Sequence, residues 1–115
     1  MKDFRDLDVL HASHDMAVLI HDISQSFPDK EPFGIAVAIT NAALAVPRSI
    51  VNGCGRNADE DLKRALDEAS GYASELEYLM LLASDVGIVD EETLEEFAAT
   101  LDDFKTRMAK ELASC

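Results

Sequence analysis

Positive charge is scarce in this chain: ten Lys and Arg stand against 23 Asp and Glu, for a formal net charge of -13. That balance disfavours duplex DNA and anionic membrane surfaces as partners, because both repel it. Cysteine is scarce too. Cys54 and Cys115 make no Cys-x-x-Cys pair and no disulfide framework, so both read as free thiols of a cytoplasmic protein. Five glycines and three prolines exclude collagen-like and most low-complexity chains. Long apolar runs are missing. The most apolar stretch, Phe33 to Val46, contains Thr40 and Asn41 and falls short of the ~20 residues a bilayer needs. Behind the N-terminal Met1-Lys2-Asp3-Phe4-Arg5-Asp6 there is no apolar segment of leader type. The sequence therefore predicts neither a signal peptide nor a membrane span.

What is present suits one small domain covering 1–115, with 48% apolar residues to build its core. Four segments carry helical periodicity, and no run alternates with period two long enough to be a strand. Phe27 to Pro32, Gly53-Cys54-Gly55 and Gly87 separate them. Short connections between four helices predict an all-α, antiparallel up-down four-helix bundle.

The first helix is expected over about Asp8 to Ser26, with a core stripe of Val9, Ala12, Met16, Leu19, Ile20 and Ile23. Leu10, His14, Ala17 and His21 form a second stripe, which predicts a second surface to bury. The second helix is expected from Phe33 to Asn52, with a kink or restart at Pro47. No charge stands between Gly34 and Val46, and a helix apolar all round is normally buried all round. Another copy of the chain is the simplest cover for its outer face. The third helix is expected from Ala58 to Val86, capped by Asn57 with Glu60 in capping-box position. Its apolar stripe widens from Tyr78 to Ala83, which adds Tyr78, Leu81 and Leu82 to the candidate interface residues. Gly71 is expected to allow a close helix approach, and Gly87 to end the helix in a left-handed cap. The fourth helix, from Glu91 to Ala113 behind an Asp90 cap, carries one clean stripe and acids in its first turns, and is expected to face solvent.

Sites for chemistry are few. His11, His14 and His21 spread along about 15 Å of helix rise and cannot converge on one ion. No nucleophile elbow, Walker loop or dinucleotide fingerprint occurs, so neither an enzyme nor a cofactor is predicted. Residues 27–58 hold Lys30, Arg48 and Arg56 against Asp29 and Glu31, the one stretch with an excess of positive charge. Arg48, Arg56, Lys63 and Arg64 are the candidates for contact with nucleic acid. Pro47, Gly53 and Gly55 are the candidates for a structural turn, with positive φ expected at Gly55.

Several of these residues carry a resemblance. Phe4-Arg5-Asp6-Leu7-Asp8-Val9, Ala12 and His14 open it, followed by Ser26-Phe27-Pro28 and Glu31-Pro32-Phe33-Gly34. Its main signature is Ala42-Ala43, Val46-Pro47, Ile50 and Gly53-x-Gly55-Arg56. Ala69, Gly71, Ser74-Glu75-Leu76-Glu77, Leu81-Leu82-Ala83 and Gly87 complete it. With these, the chain resembles the four-helix-bundle proteins of 23S rRNA intervening sequences. The accessory variability proteins of diversity-generating retroelements belong to the same wider group. The resemblance implies a bundle that assembles into a ring of five, with no enzymatic activity. It also implies relatives that bind nucleic acid as basic accessory proteins. This chain departs from them: Thr40 and Asn41 stand where the family usually has arginines, and Ser49-Ile50-Val51-Asn52-Gly53 replaces Asn-Ile-Ala-Glu-Gly. Together with the net charge of -13, these departures carry the fold and assembly over more firmly than nucleic-acid binding.

Overall fold

Amphipathic stripes and turn residues produce four helices: α1 (Asp8–Ser24), α2 (Ile35–Cys54), α3 (Asp59–Asp85) and α4 (Glu91–Ala113). The computed structural model describes the backbone of residues 1–115 and every side chain but that of Pro32. Short 3-10 turns at Phe4–Asp6 and Pro32–Gly34 precede α1 and α2. Each helix packs on its two neighbours in the cyclic order α1, α2, α3, α4, so α1 faces α3 and α2 faces α4 only across the diagonals. The bundle measures 43 × 22 × 19 Å. Its long axis is about the length of α3, which at ~1.5 Å per residue spans ~40 Å. Met16 and Ile20 of α1, Ile39 and Ile50 of α2, Leu66 and Leu76 of α3, and Phe97 and Phe104 of α4 are fully buried in one shared core.

The helix ends follow local chemistry, with several departures from the expected boundaries. α4 starts as expected, with the Asp90 carboxylate accepting from the Thr93 N–H at 2.8 Å. α3 ends at the expected left-handed glycine: Gly87 has φ 82°, and the Ile88 N–H closes back on the Ala83 carbonyl at 2.8 Å. The start of α3 differs. Ala58 stands at the cap with no side-chain hydrogen bond, so the Asn57–Glu60 box does not form. Asp59, Glu60 and Asp61 in the first turn instead place negative charge on the positive end of the helix.

α2 begins at Ile35 rather than Phe33, because Phe33 (φ 66°) and Gly34 (φ 65°) are both left-handed and cannot open a right-handed helix. The Glu31 carboxylate accepts from the Ala36 N–H at 3.1 Å and holds that entry. α2 then passes through Pro47 unbroken, so no restart occurs there.

The glycine expectations need correction. Gly55 is right-handed (φ -76°) at the end of α2 and carries no positive φ. Gly53 is the spatially constrained one: a Cβ there would overlap the Ala65 methyl on α3. Gly71 has open space around it and makes no close approach within the bundle.

α2 now extends over 20 residues, long and apolar enough by length and composition to cross a bilayer. The length argument against a membrane span therefore fails. The packing is that of a core helix, since Ile35, Ile39, Ala42, Ala43, Val46, Ile50 and Cys54 are buried against the other helices.

Candidate interaction surfaces

Three sides of the bundle carry the residues singled out by sequence. The first lies between α1 and α2. Val37, Leu44 and Val51 recur every seven residues, two helical turns apart, and so share the outer side of α2. Val37 is 63% and Leu44 52% exposed. Beside them Ala17, Ile20 and His21 of α1 meet Thr40, Ala43 and Leu44 of α2 around a hollow of about 190 Å³. His14 is exposed one turn along from Ala17. Leu10, expected on this surface, is 8% exposed and belongs to the monomer core. Its position on the wheel is close enough to the core stripe for Leu10 to turn inward. The charge-free stretch of the sequence pointed to this face but did not single out Val37, Leu44 and Val51. Their spacing of seven was the available signal.

The second side lies between α2 and α3. Asn52, Gly53, Arg56, Asp61, Arg64 and Glu68 line a hollow of about 220 Å³. Arg48, Ser49, Asn52, Glu68 and Tyr72 line its continuation along the helices, about 290 Å³. Three of the four candidate nucleic-acid residues thus share one shelf. Lys63 does not: it stands with Lys2, Asp59 and Glu60 at a different hollow, where the two chain ends meet. Two of these arginines are already engaged. Arg64 pairs with Asp61 at 3.1 Å, and Arg56 donates to the Asn52 side-chain oxygen at 3.3 Å. Glu68 adds a carboxylate to the same shelf.

The third side carries the widened stripe of α3, which the fold splits. Tyr78 is 62% exposed. Leu81 turns toward α4, and Leu82 is half-buried against the core. Leu81 and the α1–α2 hollow thus sit on opposite sides of the bundle, the α3–α4 and α1–α2 sides.

Ionisable groups offer little chemistry among the described residues, where no group of three or more His, Cys, Asp or Glu converges on a metal position. His11 donates from Nε2 to the Arg5 carbonyl oxygen at 2.7 Å and helps fix the start of the bundle. Cys54 is buried and Cys115 exposed, both as free thiols. Burial pushes the Cys54 thiol up, away from the reactive thiolate.

Comparison with known proteins places this geometry. The family model described as 23S rRNA-intervening sequence protein matches residues 5–110. A solved structure from Bacteroides thetaiotaomicron, a protein with unknown function from the S23 ribosomal protein family, superimposes with a TM-score of 0.81 at 17% identity. That superposition covers 90% of this chain and 97% of the other. It shows the shared four-helix fold. A search of curated proteins finds no match.

Proposed function

The chain belongs to the 23S rRNA-intervening sequence protein family, and from its surfaces we propose that it is a non-enzymatic homo-oligomeric bundle, a ring of five, that serves as a scaffold or partner-binding module in the cytoplasm. The observation that carries this reading is the outer face of α2, whose one charged residue is Arg48. Val37, Leu44 and Val51 are all exposed in the single chain, next to Ala17 and the hollow it lines. Apolar patches of this kind on soluble proteins mark surfaces that meet another molecule. A second copy fits because the face is almost free of charge, so burial of Val37, Leu44 and Val51 rather than charge pairing would hold it.

The placement of α2 supports a closed ring. A head-to-tail ring needs two different patches on each copy, and they must be inclined to one another for the rotation to close. α2 stands at the corner between the α1–α2 hollow and the α2–α3 shelf. With α2 turned toward the ring axis, the acidic first turn of α4 lies outside, where like charges of neighbouring copies stay apart. The number five comes from the family resemblance. The two free thiols support the cytoplasmic placement.

The test is sedimentation of wild type beside Ala17→Glu and Leu44→Asp. Wild type should sediment as one discrete oligomer, and both variants as smaller species with unchanged helicity. Variants that sediment like wild type would remove this face from the interface.

A second reading, a nucleic-acid-binding accessory protein, has one observation in its favour: Arg48, Arg56 and Arg64 share the α2–α3 shelf. The pairing of Arg64 with Asp61 and of Arg56 with Asn52, and the net charge of -13, weigh against it. An RNA shift assay at low salt decides, since phosphate contacts are strongest there. Binding that falls with salt and with Arg48→Ala would support it, and no binding at low salt would end it.

A further inference from the structure

The α3–α4 side holds a groove that the ring reading leaves on the outside. Leu81 of α3 and Leu94, Ala98 and Leu101 of α4 line it, in a hollow of about 210 Å³, with Phe97 in its floor. Leu81 is 49% exposed, so the groove is open to a partner. The only charged residues lining it are Glu77 and Glu95. Glu91 and Asp102 lie four residues before and seven after Glu95, on the same side of α4, and both are exposed. Lys105 is the cation at this seam, and it is held by Glu77 at 3.0 Å. An apolar channel with acidic borders has a defined complement.

We propose that the α3–α4 groove docks a basic amphipathic helix of a partner protein, with aliphatic or aromatic residues at i, i+3 or i+4, and i+7 entering between Leu81 and Leu94, and Lys or Arg flanking them toward Glu91 and Glu95. Charge complementarity selects this occupant. The net charge of -13 draws a cationic helix to the molecule, and the rim carboxylates fix its direction in the groove. The apolar floor supplies the binding surface, as in other helix-in-groove complexes. A second copy of this chain fits less well. Its α2 face offers the acidic rim a single cation, Arg48. Contacts between opposite sides would also extend copies in a line rather than close them. The inference rests on the partner-binding half of the proposed function and not on the ring or its number.

The experiment measures binding of three fluorescent synthetic peptides to the full chain by anisotropy. One is an amphipathic Leu/Lys helix, one has the same composition with its apolar residues scattered, and one is the Leu/Glu counterpart of the first. The amphipathic Lys peptide should bind, and more weakly as salt rises. The scattered peptide should bind at least ~tenfold more weakly, and the Leu/Glu peptide not at all. Leu81→Asp should weaken binding by ~tenfold or more, while Val18→Asp, at an exposed position of α1 outside both surfaces, leaves it unchanged. Both positions are half-exposed, so the fold tolerates the charge, and circular dichroism checks this. Equal binding of the ordered and scattered Lys peptides would overturn the proposal, leaving general attraction to an acidic surface. Unchanged binding by Leu81→Asp, or an equal loss with Val18→Asp, would overturn it as well. A smaller oligomer on Leu81→Asp would make the groove an interface between copies and also overturn it. A monomeric wild type that still binds the peptide would sink the ring and leave this inference standing.

Discussion

Gly53 sets how closely α2 and α3 approach at their connected ends. Any side chain there meets the Ala65 methyl and the α3 backbone at Leu62. Gly53→Ala should therefore destabilise the fold by about 1–3 kcal/mol, as overpacking does. Gly55→Ala, in right-handed backbone where a Cβ would make only ordinary van der Waals contact with the Asn52 and Val51 carbonyls, should stay within about 0.5 kcal/mol of wild type. Urea unfolding of the two variants separates them, and the opposite ranking would restore the turn to Gly55. Asp90 offers a second test. Hydrogen bonding from the Thr93 side chain, then from its backbone N–H, holds the Asp90 carboxyl below the usual carboxylate range. A carboxyl whose folded pKa is depressed stabilises the fold above its unfolded pKa, and that contribution is lost as pH falls through the folded value. Asp90→Ala should thus melt below wild type at neutral pH and approach it in acid. A melting difference that holds constant down to about pH 2 would show that the cap does not act through its charge.

Among the elements, α2 carries two roles that the sequence merges. Its freedom from charge was legible from Gly34 to Val46. Which of its residues face the core was not, because an all-apolar helix has no polar side to orient it. The structure divides it: Ile39, Val46 and Ile50 turn inward, while Val37, Leu44 and Val51 turn outward. α4 shows the opposite case. Its stripe of Leu94, Phe97, Ala98, Leu101, Phe104, Met108 and Leu112 is flanked by charge; Phe97, Leu101, Phe104 and Met108 are buried, Leu94 and Leu112 half-buried, and Ala98 is exposed. Phe97→Ala should cost about 3–5 kcal/mol by leaving a cavity among all four helices. Val37→Asp should leave monomer stability almost unchanged and act on assembly instead. Thermal unfolding of each, read beside its oligomer mass, distinguishes the two kinds of apolar residue. The start of α2 was not legible, since nothing in the composition of Phe33 announces a left-handed backbone.

At the scale of the molecule, the four-helix bundle was legible because turn residues and periodicity agree along the whole chain. The distribution of residues over its sides was not. Leu10 joined the core, Lys63 left the arginine shelf, and Leu81 went to the side opposite the α1–α2 face, each through the order in which the helices pack. The acidic groove was missed for the same reason, since no sequence pattern tells which sides of α3 and α4 will adjoin. The remaining question is whether the α2 face of Val37, Leu44 and Val51 meets another copy. Light scattering coupled to size-exclusion chromatography, on wild-type protein at micromolar concentration, addresses it most directly. The α2 face and the family resemblance together predict a single species at about five times the 12.6 kDa chain mass. Another closed multiple would keep the burial argument and replace only the number, whereas a mass of one chain would contradict it.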